Sequence, residues 1–166
     1  MIQQVAVPAK IRALSNETGF EIVKLVRDRI THQSNEFPTW RTLMNIESIA
    51  SRLVELCRAG KFEQAQEELY SSDAVSIEPK GLPPGALGNA RGLPAIIEKG
   101  RQFQAATEAV HGGSVSEPVV AGNWFSVALM LDSTFKGRGR MKLEEICVYH
   151  VRDGKIVQEQ FFYDVG

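Results

Sequence analysis

The sequence predicts an α+β domain in which helices come first and an antiparallel sheet follows. Between residues 43 and 103, apolar side chains recur at spacings of three and four, the period of amphipathic helices. From residue 107 onward, segments rich in Val, Phe, Tyr and Ile alternate with glycine-containing breaks, a pattern typical of an antiparallel meander. The 166 residues suggest one such domain with an extension, long enough to bury a core without crosslinks.

Helical periodicity defines the first part of the chain. Gly60 follows one apolar stripe where a C-terminal cap belongs, and Pro94 fits the first turn of another helix. The predicted helices cover residues 20–32, 43–57, 62–69 and 94–103. We therefore expect residues 1–45 to be a helical N-terminal extension and residues 46–166 to form the main domain.

The predicted sheet begins with a short strand and continues with longer ones. Residues 74–79 are predicted to form the short strand, and the glycine- and proline-rich residues 81–92 a loop. The longer strands are predicted over residues 107–120, 123–135, 141–151 and 155–165. Each follows its predecessor after a short break, so neighbouring strands are expected to pair antiparallel.

The last two strands meet at a turn that contains Asp153 and Gly154. A two-residue turn would place Arg152 directly opposite Lys155, and like charges in that position are unfavourable. We therefore predict a three-residue loop over residues 152–154, with a left-handed glycine. In the resulting register, one face of the hairpin carries Glu145, Cys147, Tyr149, Val157, Glu159, Phe161 and Tyr163.

The strand over residues 123–135 has two faces, and the sequence leaves open which one points inward. One face carries Trp124, Ser126, Ala128, Met130 and Asp132, and the other carries Phe125, Val127, Leu129 and Leu131. Asp132 slightly favours the first set, because an acid in an apolar strand needs a partner or a function. Met130 would then suit an adaptable ligand wall.

Three segments carry a resemblance to a known fold family. They are RLVELCRAGKFEQAQEELYSSDAVSIEP at residues 52–79, RGLPAIIEKGRQF at residues 91–103 and EEICVYHVRDGKIVQEQFFYD at residues 144–164. In order and spacing they resemble a SnoaL-like domain, related to nuclear transport factor two, SnoaL-like polyketide cyclases and ketosteroid isomerase. The resemblance covers residues 46–166. It implies a cystatin-like, cone-shaped fold, with N-terminal helices packed on a curved antiparallel sheet of about four to six strands.

The same resemblance implies where a reaction would take place. In ketosteroid isomerase the general base is a carboxylate directly before a proline, at the end of the first strand, and Glu78 before Pro79 matches it. At the positions of the isomerase's two oxyanion donors this sequence has Leu53 and, approximately, Cys147, so both donors are missing. Such donors usually supply the largest catalytic contribution, so the resemblance does not extend to the isomerase reaction itself.

Glu78, Glu145 and Glu159 are the predicted catalytic residues. In the predicted register Glu145 and Glu159 are diagonal neighbours, so their repulsion would raise one pKa if both face a pocket. The alternatives are surface positions or pairing with a cation. The predicted ligand-binding side chains are His111, Trp124, Met130, Asp132, Cys147, Tyr149, Phe161 and Tyr163. For the aromatic members a plain core role is as reasonable, and His111 beside two glycines fits a structural role.

Composition and charge argue against several other functions. A net charge of −1 gives no basis for nucleic-acid or anionic-membrane binding. The histidines and acids lack metal-ligand spacing, so no metal is expected. Neither a phosphate-binding loop nor a dinucleotide fingerprint occurs, and no cofactor is expected. Cys57 and Cys147 are expected to be free thiols in a reducing cytoplasm.

The leading expectation is binding of a small apolar or aromatic metabolite in the cone, with cofactor-free acid–base chemistry of the isomerase, cyclase or dehydratase type if the protein is an enzyme. Both faces of the last hairpin mix polar and apolar residues, so we also expect a homodimer through the outer face of the sheet. The alternative is a non-catalytic dimerisation or protein-association module. A cavity lined by Glu78 or Glu145 would favour the first, and a cone filled by its own side chains the second.

Overall fold

The computed structural model describes residues 45–165, which form three helices and a seven-stranded sheet. The helices are α1 (Ile46–Arg58), α2 (Phe62–Leu69) and α3 (Leu93–Ala106). The strands are β1 (Tyr70–Ile77), β2 (Ala90–Arg91), β3 (Thr107–Val115), β4 (Val119–Ala121), β5 (Trp124–Phe135), β6 (Gly139–Arg152) and β7 (Lys155–Phe162). Of these three helices, none is long and apolar enough to cross a membrane. The helix predicted over residues 20–32 lies outside the described residues, as does nearly all of the predicted extension.

Local signals in the sequence set the ends of the helices. α1 begins after Asn45, whose side chain accepts a 2.8 Å hydrogen bond from the Ser48 backbone N–H, as a helix N-cap does. After α1 the chain turns at Gly60, where φ is 71°, a left-handed conformation that favours glycine. Pro94 occupies the first turn of α3, where a helix does not use its missing N–H. Over the described residues, the predicted helices are thus confirmed.

The sheet follows the order β2-β1-β7-β6-β5-β3, and β4 pairs with β5. β3, β5, β6 and β7 form the predicted antiparallel meander. The sheet is wider than predicted, because the short strands β2 and β4 join it. It is also mixed rather than purely antiparallel, since β1 pairs parallel with β7. α3 and the meander connect these two strands and provide the long crossover that a parallel pair requires.

The segment over residues 107–120 forms two strands rather than the single predicted one. β3 ends at Val115 and β4 begins at Val119. Pro118 lies between them and lacks the backbone N–H that a continuous ladder needs. The Ser116 backbone N–H still donates to the Ala128 carbonyl at 2.9 Å, so the break bends the chain without releasing it from β5.

The closing hairpin has the two-residue turn that charge repulsion argued against. Arg152 is directly opposite Lys155, and Asp153 and Gly154 both have positive φ, 52° and 72°, as a type I′ turn requires. The predicted three-residue loop is therefore wrong. Both cations are exposed to water, and the Lys155 ammonium turns away to donate to the Glu68 carbonyl at 2.7 Å. Solvent and this bond relieve the repulsion.

A β-bulge beside this turn shifts the register of the hairpin. Val151 is opposite Ile156, and His150 is opposite Gln158, so the β6–β7 ladder skips Val157. Ile156, fully buried, therefore takes the inward position predicted for Val157. The shorter turn and the bulge each shift the pairing by one residue in the same direction, so beyond the bulge the partners differ from the prediction by two residues and each side chain keeps its predicted face.

Beyond the bulge, the predicted inner face of the hairpin is confirmed. Cys147 is opposite Phe161 and Tyr149 is opposite Glu159, and residues directly opposite share a face. The predicted diagonal relation between Glu145 and Glu159 is wrong, because the partner of Glu159 lies four residues further along β6. The two carboxyl groups still face the same side of the sheet.

The inner face of the sheet packs against the helices to form the core. On β5, Phe125 and Val127 are 1% and 3% exposed, so the odd-numbered residues point inward and the slightly favoured opposite phase is wrong. Asp132 did not need an inward position, because it finds Arg140 across the neighbouring strand on the outer face. The best-buried helical residues of this core are Ile49, Ala50, Leu53, Val54, Leu69 and Ile96.

Candidate functional site

A large cavity opens between the helices and the inner face of the sheet. It measures about 1640 Å³ and is open to solvent. α1 and α3 line one side, β5, β6 and β7 line the other, and Leu82, Pro83 and Leu87 from the loop after β1 reach its rim. The cone is therefore not filled by its own side chains, the observation that favours ligand binding over a purely structural module.

Ionisable side chains from several elements meet in this cavity. β1 contributes one, the residue directly after β1 one, α3 one, β6 and β7 three, and the segment after β7 the last. We call them the polar cluster: Tyr70, Glu78, Lys99, Glu145, Cys147, Glu159 and Tyr163. The structure thus brings together the predicted catalytic glutamates, together with Cys147 and Tyr163 from the predicted ligand-binding set.

Glu78 is held in the polar cluster by two side chains. Its carboxylate forms a salt bridge with Lys99 and accepts a 2.8 Å hydrogen bond from the Tyr163 hydroxyl. The side chains of Glu78 and Lys99 are only 9% and 15% exposed, so water competes little for these contacts. Lys99 also donates to the Ser76 hydroxyl at 2.7 Å. The predicted general base is therefore an ion-paired carboxylate with both oxygens engaged.

Glu159 is the most deeply buried carboxyl of the cluster, with 4% exposure. The Tyr70 hydroxyl donates to it at 2.5 Å. Burial raises the pKa of Glu159, while the hydrogen bonds from Tyr70 and Ser76 act in the opposite direction. Burial and the neighbouring Glu159 charge also raise the pKa of Tyr70. Tyr70 thus stays a neutral donor. The pair of Tyr70 and Glu159 is the most deeply buried part of the polar cluster.

Glu145 is held more loosely than the other two glutamates. The contact that fixes it is a long one, 3.5 Å from the Cys147 Sγ to Glu145 Oε1, and a thiol is a weak donor. Burial raises the pKa of Glu145 to about 7, with Glu78 and Glu159 adding to the rise and the Cys147 bond and Lys99 opposing it. At neutral pH both protonation states are populated, as efficient general acid–base catalysis requires.

The cysteine and aromatic side chains around the cluster have different roles. Burial raises the pKa of the Cys147 thiol, which argues against a nucleophilic role. Tyr149 is 4% exposed and stacks on Phe125 with ring centroids 4.7 Å apart, so it belongs chiefly to the core. Phe161 is partly exposed, and its ring centre lies 5.0 Å from the Lys99 ammonium. Phe161 therefore forms an aromatic wall next to the charged group.

Trp124 and Met130 do not join the polar cluster. Trp124 is 41% exposed and stacks on His150, with ring centroids 4.2 Å apart. Met130 is opposite Glu144 on the outer face and reaches the cavity only at its rim. Both belong to the even-numbered face of β5, which the sequence slightly favoured as the pocket wall.

Asp132 and His111 also lie away from the cluster. The Arg140 guanidinium donates to Asp132 through two nitrogens, at 2.7 Å and 2.9 Å, and this bond lowers the pKa of the carboxyl. The His111 Nε2 lies 2.7 Å from the Thr134 hydroxyl. Each side chain thus has a structural partner across neighbouring strands, which the sequence pattern could not assign.

Lys99, Tyr70 and Ser76 are functional candidates that the sequence analysis did not identify. Helical spacing contained the signal for Lys99, since it lies three residues after the buried Ile96 on the inner side of α3. Strand alternation contained the signal for Ser76, which lies two residues before Glu78. Tyr70 gave no comparable signal, because it stands at the junction of α2 and β1.

Known proteins share this architecture. A solved structure from Mesorhizobium loti, described as a candidate SnoaL-like polyketide cyclase, is 35% identical, with a TM-score of 0.66 over 72% of this chain and 100% of that chain. A protein from Catenulispora acidiphila with a ketosteroid isomerase-like fold, in complex with trimethylamine, is 16% identical, with a TM-score of 0.55 over 70% of this chain and 85% of that one.

A third solved structure is similar in fold alone. It is a protein from Burkholderia pseudomallei related to nuclear transport factor two, 16% identical, with a TM-score of 0.61 over 72% of this chain and 91% of that chain. Among curated proteins, no sequence matches this chain significantly. The model of the SnoaL-like domain matches residues 44–163. On this match, and on the 35% identity to the Mesorhizobium protein, the chain belongs to the SnoaL-like domain family.

Proposed function

We propose that the cavity binds a small, largely apolar metabolite and that Glu145 exchanges a proton with it. One observation carries this proposal. Glu145 lies in the cavity wall, its pKa is raised to about 7, and its fixing contact is the weak one from the Cys147 thiol. A carboxyl in this condition can take a proton from a bound molecule and return it at the pH of a cell.

The other members of the polar cluster have supporting roles in this proposal. Glu78 is engaged by Lys99 and Tyr163, and both contacts stabilise its ionised form, which makes it a weaker base than Glu145. Lys99 lies beside Glu145 closely enough to lower its pKa. Its ammonium can stabilise negative charge that develops on a substrate oxygen, a contribution that is large in a site with little water.

The reaction class that suits these groups is proton transfer at a carbon next to a carbonyl. The C–H bond breaks, the proton moves to a Glu145 oxygen, and the electron pair moves to the carbonyl oxygen to give an enol or enolate. Return of the proton to another carbon is isomerisation. Attack by the enolate carbon on a second carbonyl of the same molecule, whose oxygen takes the proton back from Glu145, is cyclisation. Loss of a β-hydroxyl, which leaves as water with that proton, is dehydration. The Mesorhizobium relative described as a candidate polyketide cyclase supports a reaction of this kind.

Isotope exchange tests this proposal without knowledge of the natural substrate. The probe is β-tetralone, a bicyclic ketone with acidic α-hydrogens, incubated with the protein in heavy water. Proton NMR measures the loss of the α-hydrogen signal. We expect Glu145→Gln to lower the protein-dependent exchange rate by about 10²-fold, the usual contribution of a general base.

Glu144→Gln is the matched control for the exchange experiment. Glu144 is the neighbouring residue on β6, is exposed and bonds to Lys142 at 2.8 Å on the outer face. This variant removes the same charge from an exposed side chain at the cavity rim and leaves the polar cluster intact, so its exchange rate should equal that of the unmodified protein. Equal rates in Glu145→Gln and Glu144→Gln would rule out Glu145 as the base, and a loss in Glu78→Gln alone would transfer the role to Glu78.

We also propose that the outer face of the sheet forms a homodimer. Ile146 on β6 is directly opposite Phe162 on β7, and the two are 46% and 50% exposed. The Trp124 and His150 stack continues the same face. Two ion pairs border this apolar area, Arg140 with Asp132 and Lys142 with Glu144. Positive and negative groups are therefore both present there. A second copy would offer the same mixture of apolar and oppositely charged groups, as a two-fold interface requires.

A further inference from the structure

We infer that the cavity discriminates against organic carboxylates and accepts their uncharged isosteres, because Glu78 already occupies the ammonium of Lys99. This inference rests on the proposed function of the cavity and names the class of molecule that it takes. The natural ligand would then carry a neutral oxygen or nitrogen group, such as a ketone, ester, amide or phenol, rather than a carboxylate.

The polar cluster carries more negative than positive groups. Three of its members are carboxyl groups, and Lys99 is the cation among them. Of the other cations that border the cavity, Arg58, Arg101 and Lys142 pair with Glu117, Glu63 and Glu144, whereas Lys136 and Arg138 are exposed to water in the turn between β5 and β6. An anion placed beside the three carboxyls would therefore meet more negative than positive charge at short range, where low exposure strengthens repulsion.

Lys99, the cation of the polar cluster, already has partners. Its ammonium contacts the Glu78 carboxylate and the Ser76 hydroxyl, and it faces the ring of Phe161. Glu78 and Ser76 engage two of the three ammonium N–H groups, so a ligand carboxylate would either place a second carboxylate against the same cation or displace Glu78 and leave that 9% exposed side chain unpaired. An unpaired charge in such a place is strongly unfavourable.

An uncharged ligand avoids both costs. Glu145 offers a proton to a carbonyl oxygen when it is protonated, and accepts one from an amide or phenol when it is ionised. Neither arrangement requires the pair of Lys99 and Glu78 to open. Specificity of this kind is a difference between two affinities, and an unfavourable charge contact against the wrong ligand contributes as much as a favourable contact to the right one.

The experiment compares two probes of the same size and shape. β-Naphthamide is uncharged, and β-naphthoate is fully ionised at about pH 8, well above the usual range of a carboxylic acid. Isothermal titration calorimetry measures both affinities for the unmodified protein. We expect the amide to bind at least about tenfold more tightly than the carboxylate.

Glu78→Gln then tests the physical cause of the selectivity. This variant removes one negative charge and releases Lys99, so β-naphthoate should gain at least about tenfold in affinity while β-naphthamide changes little. The gain should disappear in Glu78→Gln/Lys99→Met, which removes the released ammonium. Glu55→Gln serves as the control here, because Glu55 is exposed on α1, pairs with Arg52 and, like Arg52, does not line the cavity; it should leave both affinities unchanged. Amide binding to each variant shows that its cavity is still folded.

The possible results separate the inference from the function on which it rests. Equal affinity of the two probes for the unmodified protein would overturn the inference and leave the proposed cavity function standing. Failure of Glu78→Gln to improve carboxylate binding, with amide binding intact, would also overturn it. Absence of binding by both probes would overturn the proposed function, and the inference with it.

Discussion

The hydroxyl of Tyr163 donates a 2.8 Å hydrogen bond to Glu78 and thereby connects the segment after the last strand to the end of the first strand. β1 and β7 already pair in parallel, and this bond extends their association beyond the ladder. The carboxylate that it reaches is also the partner of Lys99. The same carboxylate therefore fixes the position of the segment after β7 and pairs with Lys99 in the cavity.

Tyr163→Phe should lower the free energy of unfolding by about 1–2 kcal/mol, because a hydrogen bond to a charged group is lost while the ring remains. Urea unfolding at neutral pH measures this change. In a double-mutant cycle with Glu78→Gln, the two substitutions should be clearly non-additive, since they remove the same contact. Full additivity would show that the bond contributes nothing to stability.

Glu145 should make the protein less stable as the pH rises toward neutral. Its pKa is raised from 4.5 to about 7, so the folded state binds this proton more tightly than the unfolded chain does. The stabilising contribution is full below about pH 4.5, decreases as the pH rises to about 7, and is lost above it. The difference between these two pKa values corresponds to at most about 3 kcal/mol in the free energy of unfolding, and to less where water reaches the carboxyl.

Glu145→Gln should remove this pH dependence, because the amide does not titrate. Thermal or urea unfolding of the variant and the unmodified protein at several pH values measures it. At about pH 8 the variant should be the more stable by about 1–3 kcal/mol, and below pH 4.5 the difference should vanish. A constant difference over the whole range would contradict the raised pKa. Glu144→Gln, on the exposed face, controls for the general effect of one charge.

Tyr70→Phe should destabilise the protein by about 2–3 kcal/mol at neutral pH, because it removes the 2.5 Å hydrogen bond to a carboxyl that is 4% exposed. That bond opposes the effect of burial, which raises the pKa of Glu159. Without it the pKa rises further, so the loss of stability should grow with pH.

Urea unfolding as a function of pH tests the prediction for Tyr70. In a Glu159→Gln background the same Tyr70→Phe substitution should lose its pH dependence, because the titrating partner is absent. A penalty that does not vary with pH would mean that the tyrosine hydroxyl acts through packing rather than through the carboxyl.

The sequence was sufficient to predict the fold because its signals are local. Gly60 and Pro94 stand where one helix ends and another begins. Strand alternation placed Glu159 and Phe161 on the inner face, even though the predicted turn was wrong. A one-residue error at the turn is normally enough to invert a strand. Here the bulge at Val157, which has no sequence signature, adds a second one-residue shift and restores the predicted face.

The site was predicted only in part because its contacts are between residues distant in the chain. Proline after Glu78 and alternation on β6 and β7 identified the glutamates. The pairing of Glu78 with Lys99 joins residues 21 positions apart in the chain, and the bond from Tyr70 to Glu159 joins residues 89 positions apart. Asp132 shows the converse: an acid in an apolar strand indicated a pocket, but Arg140 eight residues later satisfies it. Only tertiary structure distinguishes these outcomes.

Ile146→Glu should dissociate the proposed homodimer, because it places a charge opposite Phe162 in the middle of the outer apolar face. Sedimentation equilibrium should show a dimer for the unmodified protein and at least about tenfold weaker association for the variant. Val110→Glu is the control, since Val110 is 63% exposed but lies on β3, at the end of the strand order. A monomeric unmodified protein, or equal effects of both substitutions, would exclude this face as the interface. Both variants change exposed side chains, so thermal unfolding should confirm that they fold normally.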